Sequence, residues 1–202
     1  MQWSILFMGP VGAGKSKAIH TISDIEVVNN GAQATDATES VKPSPTVSMD
    51  IGMLQLGGSD KLRLYGAPGR ERFDFMWDIL LAQSKGVVLT LNHNRPDPVA
   101  DLNQYLSAIE ARMLRHKIPI VIGVTHTELQ PDRPLSIYHE YLRHRGCTAC
   151  EVLPPVLEMD ARDKKHVRAA LIAIISLLEM TGRFPTTPTC HRLIRASGRG
   201  PR

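Results

Sequence analysis

The chain has 202 residues, 43% of them hydrophobic and 22% charged, which is enough for one α/β domain with a sizeable core and too little for two ordinary ones. Its formal charge of +4 belongs to the end of the chain: residues 183–202 hold Arg183, Arg192, Arg195, Arg199 and Arg202 without an acid, so nothing in the body points to a nucleic-acid surface. No apolar run reaches membrane-span length, no signal peptide is expected before the first strand, and three cysteines make no disulfide framework, which fits a cytoplasmic protein.

Trp3-Ser4-Ile5-Leu6-Phe7-Met8 reads as a short buried strand and Lys17 to Ser23 as a helix. Between them lies Gly9-Pro10-Val11-Gly12-Ala13-Gly14-Lys15-Ser16, a fit to G-x-x-x-x-G-K-[ST], the phosphate-binding loop. Gly9, Gly12 and Gly14 permit the positive φ angles that turn successive backbone N–H groups toward a phosphate. The helix that opens at Lys17 adds the partial positive charge of its N-terminus. Lys15 would bridge the β- and γ-phosphates, and the Ser16 hydroxyl would take a place on Mg²⁺. A chance match in a chain of this composition is about one in two hundred. Every residue from Gly9 to Lys17 is therefore a candidate for the phosphate site.

Glu26 to Pro45 has no period and reads as a long loop. Thr46 to Leu56 alternates as a strand, Gly57-Gly58-Ser59-Asp60 turns, and Lys61 to Tyr65 returns as its partner. Gly66-Ala67-Pro68-Gly69 breaks that strand, and Glu71 to Gln83 reads as a helix. Gly86 to Leu91 and Pro119 to Val124 are apolar throughout, the pattern of strands covered on both faces. Helices are expected over Pro98 to His116, on the stripe Leu102, Leu106, Ile109 and Met113, and over Pro134 to His144. A last strand over Val152 to Met159, interrupted by two prolines, precedes a helix from Lys164 to Thr181 that ends at Gly182. The alternation predicts an α/β fold, a six-stranded, mostly parallel sheet with helices on both faces. The domain spans 1–182, and the basic tail 183–202 is expected to be disordered.

The order of the remaining pieces resembles that of the Ras-like small GTPases, over about residues 2–181. Thr46 falls where those proteins place the switch threonine that ligates Mg²⁺, and Thr46-Val-Ser-Met-Asp-Ile-Gly is similar to the Rab-type run. Gly66-Ala-Pro-Gly69-Arg70-Glu71-Arg72-Phe73 is similar to D-x-x-G-Q-E-R-F, in which the Gly69 N–H would meet the γ-phosphate. Thr125-His126-Thr127-Glu128 stands where N-K-x-D reads the base, and Met159-Asp160-Ala161-Arg162 where S-A-K belongs. Within the superfamily the likeness is to bacterial predicted ATP/GTP-binding proteins resembling MglA and the conservon GTPases. Those carry a glycine for the motif aspartate, the run F-D-F-M-W-D-I-L (here Phe73 to Leu80) and a T-H start to the base motif.

The resemblance implies a bacterial, Mg²⁺-dependent GTP/GDP switch, and a roadblock-domain regulator as partner. Phosphate contacts would come from Lys15, Thr46 and Gly69, the cation would sit on Ser16 and Thr46, and the base would meet Thr125, His126, Glu128 and Ala161. The departures matter: Gly66 replaces the motif aspartate and Arg70 the glutamine that orients water. Slow intrinsic hydrolysis is therefore expected, and a binding scaffold with little turnover or an ATP-binding protein stands as the alternative. Arg70 is either a cationic finger or a residue facing a partner, and Glu71 either positions water or favours the helix dipole. Asp50 is either a spare Mg²⁺ carboxylate or a partner of switch or hairpin residues. Phe73, Phe75 and Trp77 serve the core or a partner patch. Cys147 and Cys150 have C-x-x-C spacing but no second pair, so two thiols are expected. Cys190 and the tail arginines offer the one route to membrane contact.

Overall fold

A computed structural model describes residues 2–29, 49–57, 60–69, 75–114 and 116–183. Thr46, Arg70, Glu71 and Phe73, most of the expected 26–45 loop and the tail with Cys190 lie outside the described residues.

The fold is α/β. In chain order the strands are β1 (Gln2–Met8), β2 (Val28–Asn29), β3 (Asp50–Gly57), β4 (Asp60–Gly66), β5 (Gly86–Asn92), β6 (Ile120–Thr125) and β7 (Val156–Glu158). They form one sheet in the order β2-β3-β4-β1-β5-β6-β7. The five strands from β4 to β7 across the sheet run parallel, while β2 and β3 are antiparallel at one edge. Six strands of three or more residues match the expectation, and the two-residue β2 is the addition.

The helices are α1 (Lys15–Ile22), α2 (Phe75–Gln83), α3 (Pro98–Arg112), α4 (Ser136–Arg145) and α5 (Lys164–Arg183). Strand alternation sorts them onto two faces. Ile5 and Phe7 point to one side, where they pack with Ala18, Ile19 and Ile22 of α1 and Val167, Leu171 and Ile174 of α5. Leu6 and Met8 point to the other, against Trp77 and Leu80 of α2, Leu102 and Leu106 of α3 and Tyr138 and Leu142 of α4. Most of these side chains are fully buried, each contributing about 2 kcal/mol. The α3 start is explained locally: the Asp97 carboxylate accepts from the Ala100 N–H at 2.8 Å, and Pro98 takes the first turn, where no N–H is missed.

Several expected boundaries move: α1 opens at Lys15 rather than Lys17 and α4 at Ser136 rather than Pro134. The α3 helix ends at Arg112, with Met113 as its cap, rather than at His116. Only Val156–Glu158 of the expected last strand pairs, since Pro154 and Pro155 have no N–H for a ladder. The last helix runs through Gly182 to Arg183; a helical glycine costs about 1 kcal/mol and does not stop it.

The expectation of two thiols is also corrected. Gly146, at φ 72°, turns the chain after α4, and Cys147 and Cys150, with Cα atoms 5.5 Å apart, are joined as a disulfide.

Candidate functional site

The parallel strands all end on the same side of the sheet. The chain leaving β1 crosses to α1 on one face and the chain leaving β5 to α3 on the other, so a crevice opens between β1 and β5. The Gly9–Gly14 loop lies across it. Gly9, Gly12 and Gly14 have φ of 140°, 78° and 83°, as their spacing predicts. At Gly9 a Cβ would sit 2.1 Å from the Thr90 carbonyl oxygen, so the loop rests directly on the β5 backbone.

Polar side chains at the strand ends hold this loop. The Thr90 hydroxyl donates to the Met8 carbonyl at 3.2 Å, and the Asn92 amide to the Gly12 carbonyl at 3.4 Å. The Thr125 hydroxyl reaches the carbonyls of Ala13 and Leu91 at 3.2 and 3.0 Å and the His126 Nδ1 at 2.8 Å. Thr125 is fully buried, so it works as a support for the loop. The α1 helix starts at Gly14 with no side-chain cap and no acid in its first turn, leaving its first N–H groups for an anion.

Lys15 falls on the buried stripe Lys15, Ala18, Ile19, Ile22 of α1. It is 8% exposed, and its Nζ donates to the carbonyls of Gly9 and Pro10 at 2.8 and 2.7 Å. Burial pulls its pKa down to about 8, against a smaller upward pull from Asp50. Ser16 and Lys17 follow on the exposed side of the first turn.

Gly69 comes up against the same loop: a Cβ there would be 2.8 Å from Lys15 Nζ and from the Val11 backbone N. The segment is tied from behind. Ala67 N–H donates to Phe7 O at 2.8 Å, the Trp77 indole to Pro68 O at 3.1 Å, and the Tyr105 hydroxyl to Gly69 O at 3.1 Å.

Gly66 pairs directly with Asp50 across β3 and β4. Asp50 is 6% exposed. Among the described residues no hydrogen bond or ion pair reaches its carboxylate; the switch residues Thr46 and Arg70 and the Gly58-Ser59 turn, among which a partner was expected, lie outside the described residues.

At the far end, Thr125, His126, Glu128 and Ala161 come together with Gly14 and Lys17 around a cavity of about 230 Å³. His126, at φ 59°, is the one non-glycine residue with positive φ among those described, and it starts the short 3-10 turn Thr127–Leu129. Glu128, half-exposed, accepts from Arg162 at 3.0 Å. Arg162 also grips both oxygens of Asp160, whose pKa these hydrogen bonds pull down to about 2. The Thr21 hydroxyl donates to Ala161 O at 2.8 Å and fastens that loop to α1.

The loop, Lys15 and Gly69, with Thr125, His126, Glu128 and Ala161, lie along one crevice; the sequence reading did not single out Thr21, Thr90, Asn92, Tyr105 or the Arg162–Glu128 pair. For Thr90 and Asn92 a signal existed: they are the polar residues near the end of an otherwise apolar strand. Thr46 and Arg70 lie outside the described residues.

No protein-family model matches the chain, and no curated protein matches it. What fold and site define is a class of architecture: an open α/β sheet with a glycine-rich loop, a buried lysine and a free helix N-terminus at its switch point. Among the described residues no helix is long and apolar enough to cross a membrane.

Proposed function

We propose that the protein is a nucleotide switch of the small-GTPase kind, which binds GTP and GDP with Mg²⁺ and hydrolyses GTP slowly until a partner accelerates it. The observation that carries this reading is the seat of the Gly9–Ser16 loop. Its three glycines all take positive φ, and Lys15 lies against it with its Nζ donating, among the described residues, to the loop's own Gly9 and Pro10 carbonyls. Those two carbonyls can be exchanged for phosphate oxygens, which as anions make stronger hydrogen bonds with an ammonium.

Phosphoryl transfer asks the protein for position and charge, with little covalent chemistry of its own. Here the loop amides and Lys15 would bind the β- and γ-phosphates, and the Gly69 N–H would meet the γ-phosphate. Among the described residues no cluster of three His, Cys, Asp or Glu side chains could hold a metal alone. That suits Mg²⁺, which takes one or two protein oxygens together with phosphate oxygens and water; the Ser16 hydroxyl is the first such donor. Low intrinsic turnover is expected because Arg70 stands where the similar motif has the glutamine that orients water. Such switches reset through a stimulating partner, for which a roadblock-domain protein is the proposal.

The base would occupy the 230 Å³ cavity against Ala161 and Glu128. A carboxylate there accepts the N1–H and N2–H of guanine, which adenine cannot offer. One observation favours a weaker version, a scaffold or ATP-binding protein: Arg162 already occupies a Glu128 oxygen.

Titration of nucleotide-free protein with fluorescent GDP, GTP and ATP analogues, with and without Mg²⁺, separates these. A guanine preference of a hundredfold, about 2.7 kcal/mol, supports the switch. Equal or better ATP binding moves the protein to the ATP-binding class, and absence of binding to all three rejects the nucleotide reading. Single-turnover hydrolysis of bound GTP then distinguishes switch from scaffold.

A further inference from the structure

We infer that Asp50 is the carboxylate that supports the divalent cation in this protein, in place of the side chain that position 66 lacks. The inference rests on the nucleotide reading above and deepens it.

Three observations converge. First, Asp50 and Gly66 are direct cross-strand partners at the end of β4 that pairs with Phe7 of β1, next to the start of the Gly9–Ser16 loop. A Cβ at position 66 would lie 3.1 Å from Asp50 Oδ2, 3.1 Å from Asp50 Cβ and 3.0 Å from Ile19 Cδ1. The Asp50 carboxylate thus stands over position 66, and a side chain at 66 would meet both it and Ile19. One carboxylate fits there, and β3 supplies it.

Second, Asp50 is 6% exposed and its carboxylate has no hydrogen-bond or ion-pair partner among the described residues. Buried carboxylates are ordinarily paired, hydrogen-bonded or metal-bound. Lys15 does not satisfy it: its Nζ is spent on the carbonyls of Gly9 and Pro10, and Asp50 acts on it only at longer range.

Third, the helix places the cation's other donor on the same side. Ile19, which touches position 66, lies three residues after Ser16 on α1. Residues three apart share a helix face, and side chains lean toward the N-terminus. Ser16 therefore lies one turn before Ile19, at the edge of that face and at the loop end of α1. A hydroxyl, a carboxylate acting directly or through water, and phosphate oxygens are the donor set of a hard cation such as Mg²⁺.

The test measures the affinity of a fluorescent GTP analogue in EDTA and in millimolar Mg²⁺ for wild type, Asp50→Asn and the exchange Asp50→Ala/Gly66→Asp. In wild type Mg²⁺ is expected to tighten binding at least about tenfold, in Asp50→Asn less than about twofold, with affinity in EDTA unchanged or better. The exchange variant, which puts the carboxylate back from β4 and removes the Oδ2 contact while leaving the approaches to Ile19 Cδ1 and to the Cβ at position 50 to be relieved by small shifts, is expected to recover most of the increment. If Asp50→Asn keeps the full Mg²⁺ increment, Asp50 has no part in cation binding. If Asp50→Asn melts too early to assay, the exchange variant decides: a folded protein with no Mg²⁺ increment overturns the inference. Absence of nucleotide binding by wild type, in EDTA and Mg²⁺ alike, overturns the nucleotide reading and this inference with it; a lost effect of Asp50 alone leaves that reading standing.

Discussion

Replacing the three loop glycines by alanine, one at a time, should give three very different proteins. At Gly12 (φ 78°) an added Cβ meets nothing within 4 Å. Only the left-handed strain remains, about 1–2 kcal/mol, partly offset by the smaller entropy of the unfolded alanine chain. A net loss of about 1 kcal/mol lowers the melting temperature by about 3 °C in a protein of this size. At Gly14 the same strain is joined by a 2.9 Å approach to the Ala161 Cβ, an overlap of side chains that can be relieved by a small shift. About 3 kcal/mol, or about 9 °C, is expected. At Gly9 the backbone φ of 140° lies beyond the left-handed well, and the Cβ would be 2.1 Å from the Thr90 carbonyl oxygen. Thr90, near the end of β5, is paired with Gly123 of β6 and hydrogen-bonded to Met8 of β1, and cannot retreat. The loop would have to lift off the sheet, at a cost above about 4 kcal/mol. Thermal unfolding followed by circular dichroism, in EDTA and without nucleotide, reads all three. A Gly9→Ala protein melting within about 3 °C of Gly12→Ala would show that the contact with β5 does not hold the loop in place.

Lys15 gives a pH dependence with a definite sign. Its pKa of about 8 in the free protein leaves about half of it charged at pH 8 and about a tenth at pH 9, so phosphate affinity in EDTA should be flat below pH 7 and fall about tenfold by pH 9. A flat wild-type curve, or a slope that survives Lys15→Arg, removes the ammonium from phosphate binding. Since the folded value lies below the unfolded 10.5, the free protein should also gain stability between about pH 8 and pH 10.5, and Lys15→Met should not.

Glu110 and Arg145 form a two-pronged pair away from the site, with side chains 14% and 18% exposed. Hydrogen bonds from Arg145 hold Glu110 below the ordinary 4.5, so its contribution is complete above that value and is lost as pH falls through the lowered one. Glu110→Gln should cost about 2–3 kcal/mol in urea unfolding at pH 7, and a loss equally large at pH 3 would contradict the assignment. In the cavity proposed above for the base, Glu128→Ala should reduce the GTP-over-ATP preference at least about tenfold, while Arg162→Ala, by releasing Glu128, should increase it. An unchanged preference in both excludes Glu128 as the base reader.

The loop was legible because each of its glycines answers to a backbone angle, and β5 and β6 because strands covered on both faces need apolar residues throughout. The place of Lys15 on the buried side of α1 was not legible, because the helix was expected to open only at Lys17 and in fact starts at Lys15. The Asp50–Gly66 juxtaposition was not legible, for a local reason. Counted back from the Gly57–Asp60 pair, Asp50 would face Ala67, but an irregularity between Gln55 and Gly57 shifts the register by one and sets it against Gly66. A single-residue slip exchanges the two faces of a strand, and nothing in the hairpin's composition announces it. The ties from Thr21 to Ala161 and from Arg162 to Glu128 join residues 140 and 34 positions apart, beyond the range of any periodicity. The Cys147–Cys150 bond depends on the turn at Gly146, which spacing alone does not specify.

Trp77 turns the site into its own optical reporter. Its indole N–H is bonded to Pro68, one residue from the Gly69 that crowds Lys15, and its ring lies 5.5 Å from the Arg112 guanidinium and 5.4 Å from the Tyr105 ring. Emission from a buried indole depends on the hydrogen bond and the charge beside it, and here those are the Pro68 carbonyl and the Arg112 guanidinium. The chain has one other tryptophan, Trp3, placed near the opposite end of β1, so a Trp3→Phe protein would emit from this position alone. Ligand entry under the glycine loop could then be followed in real time with unlabelled nucleotide.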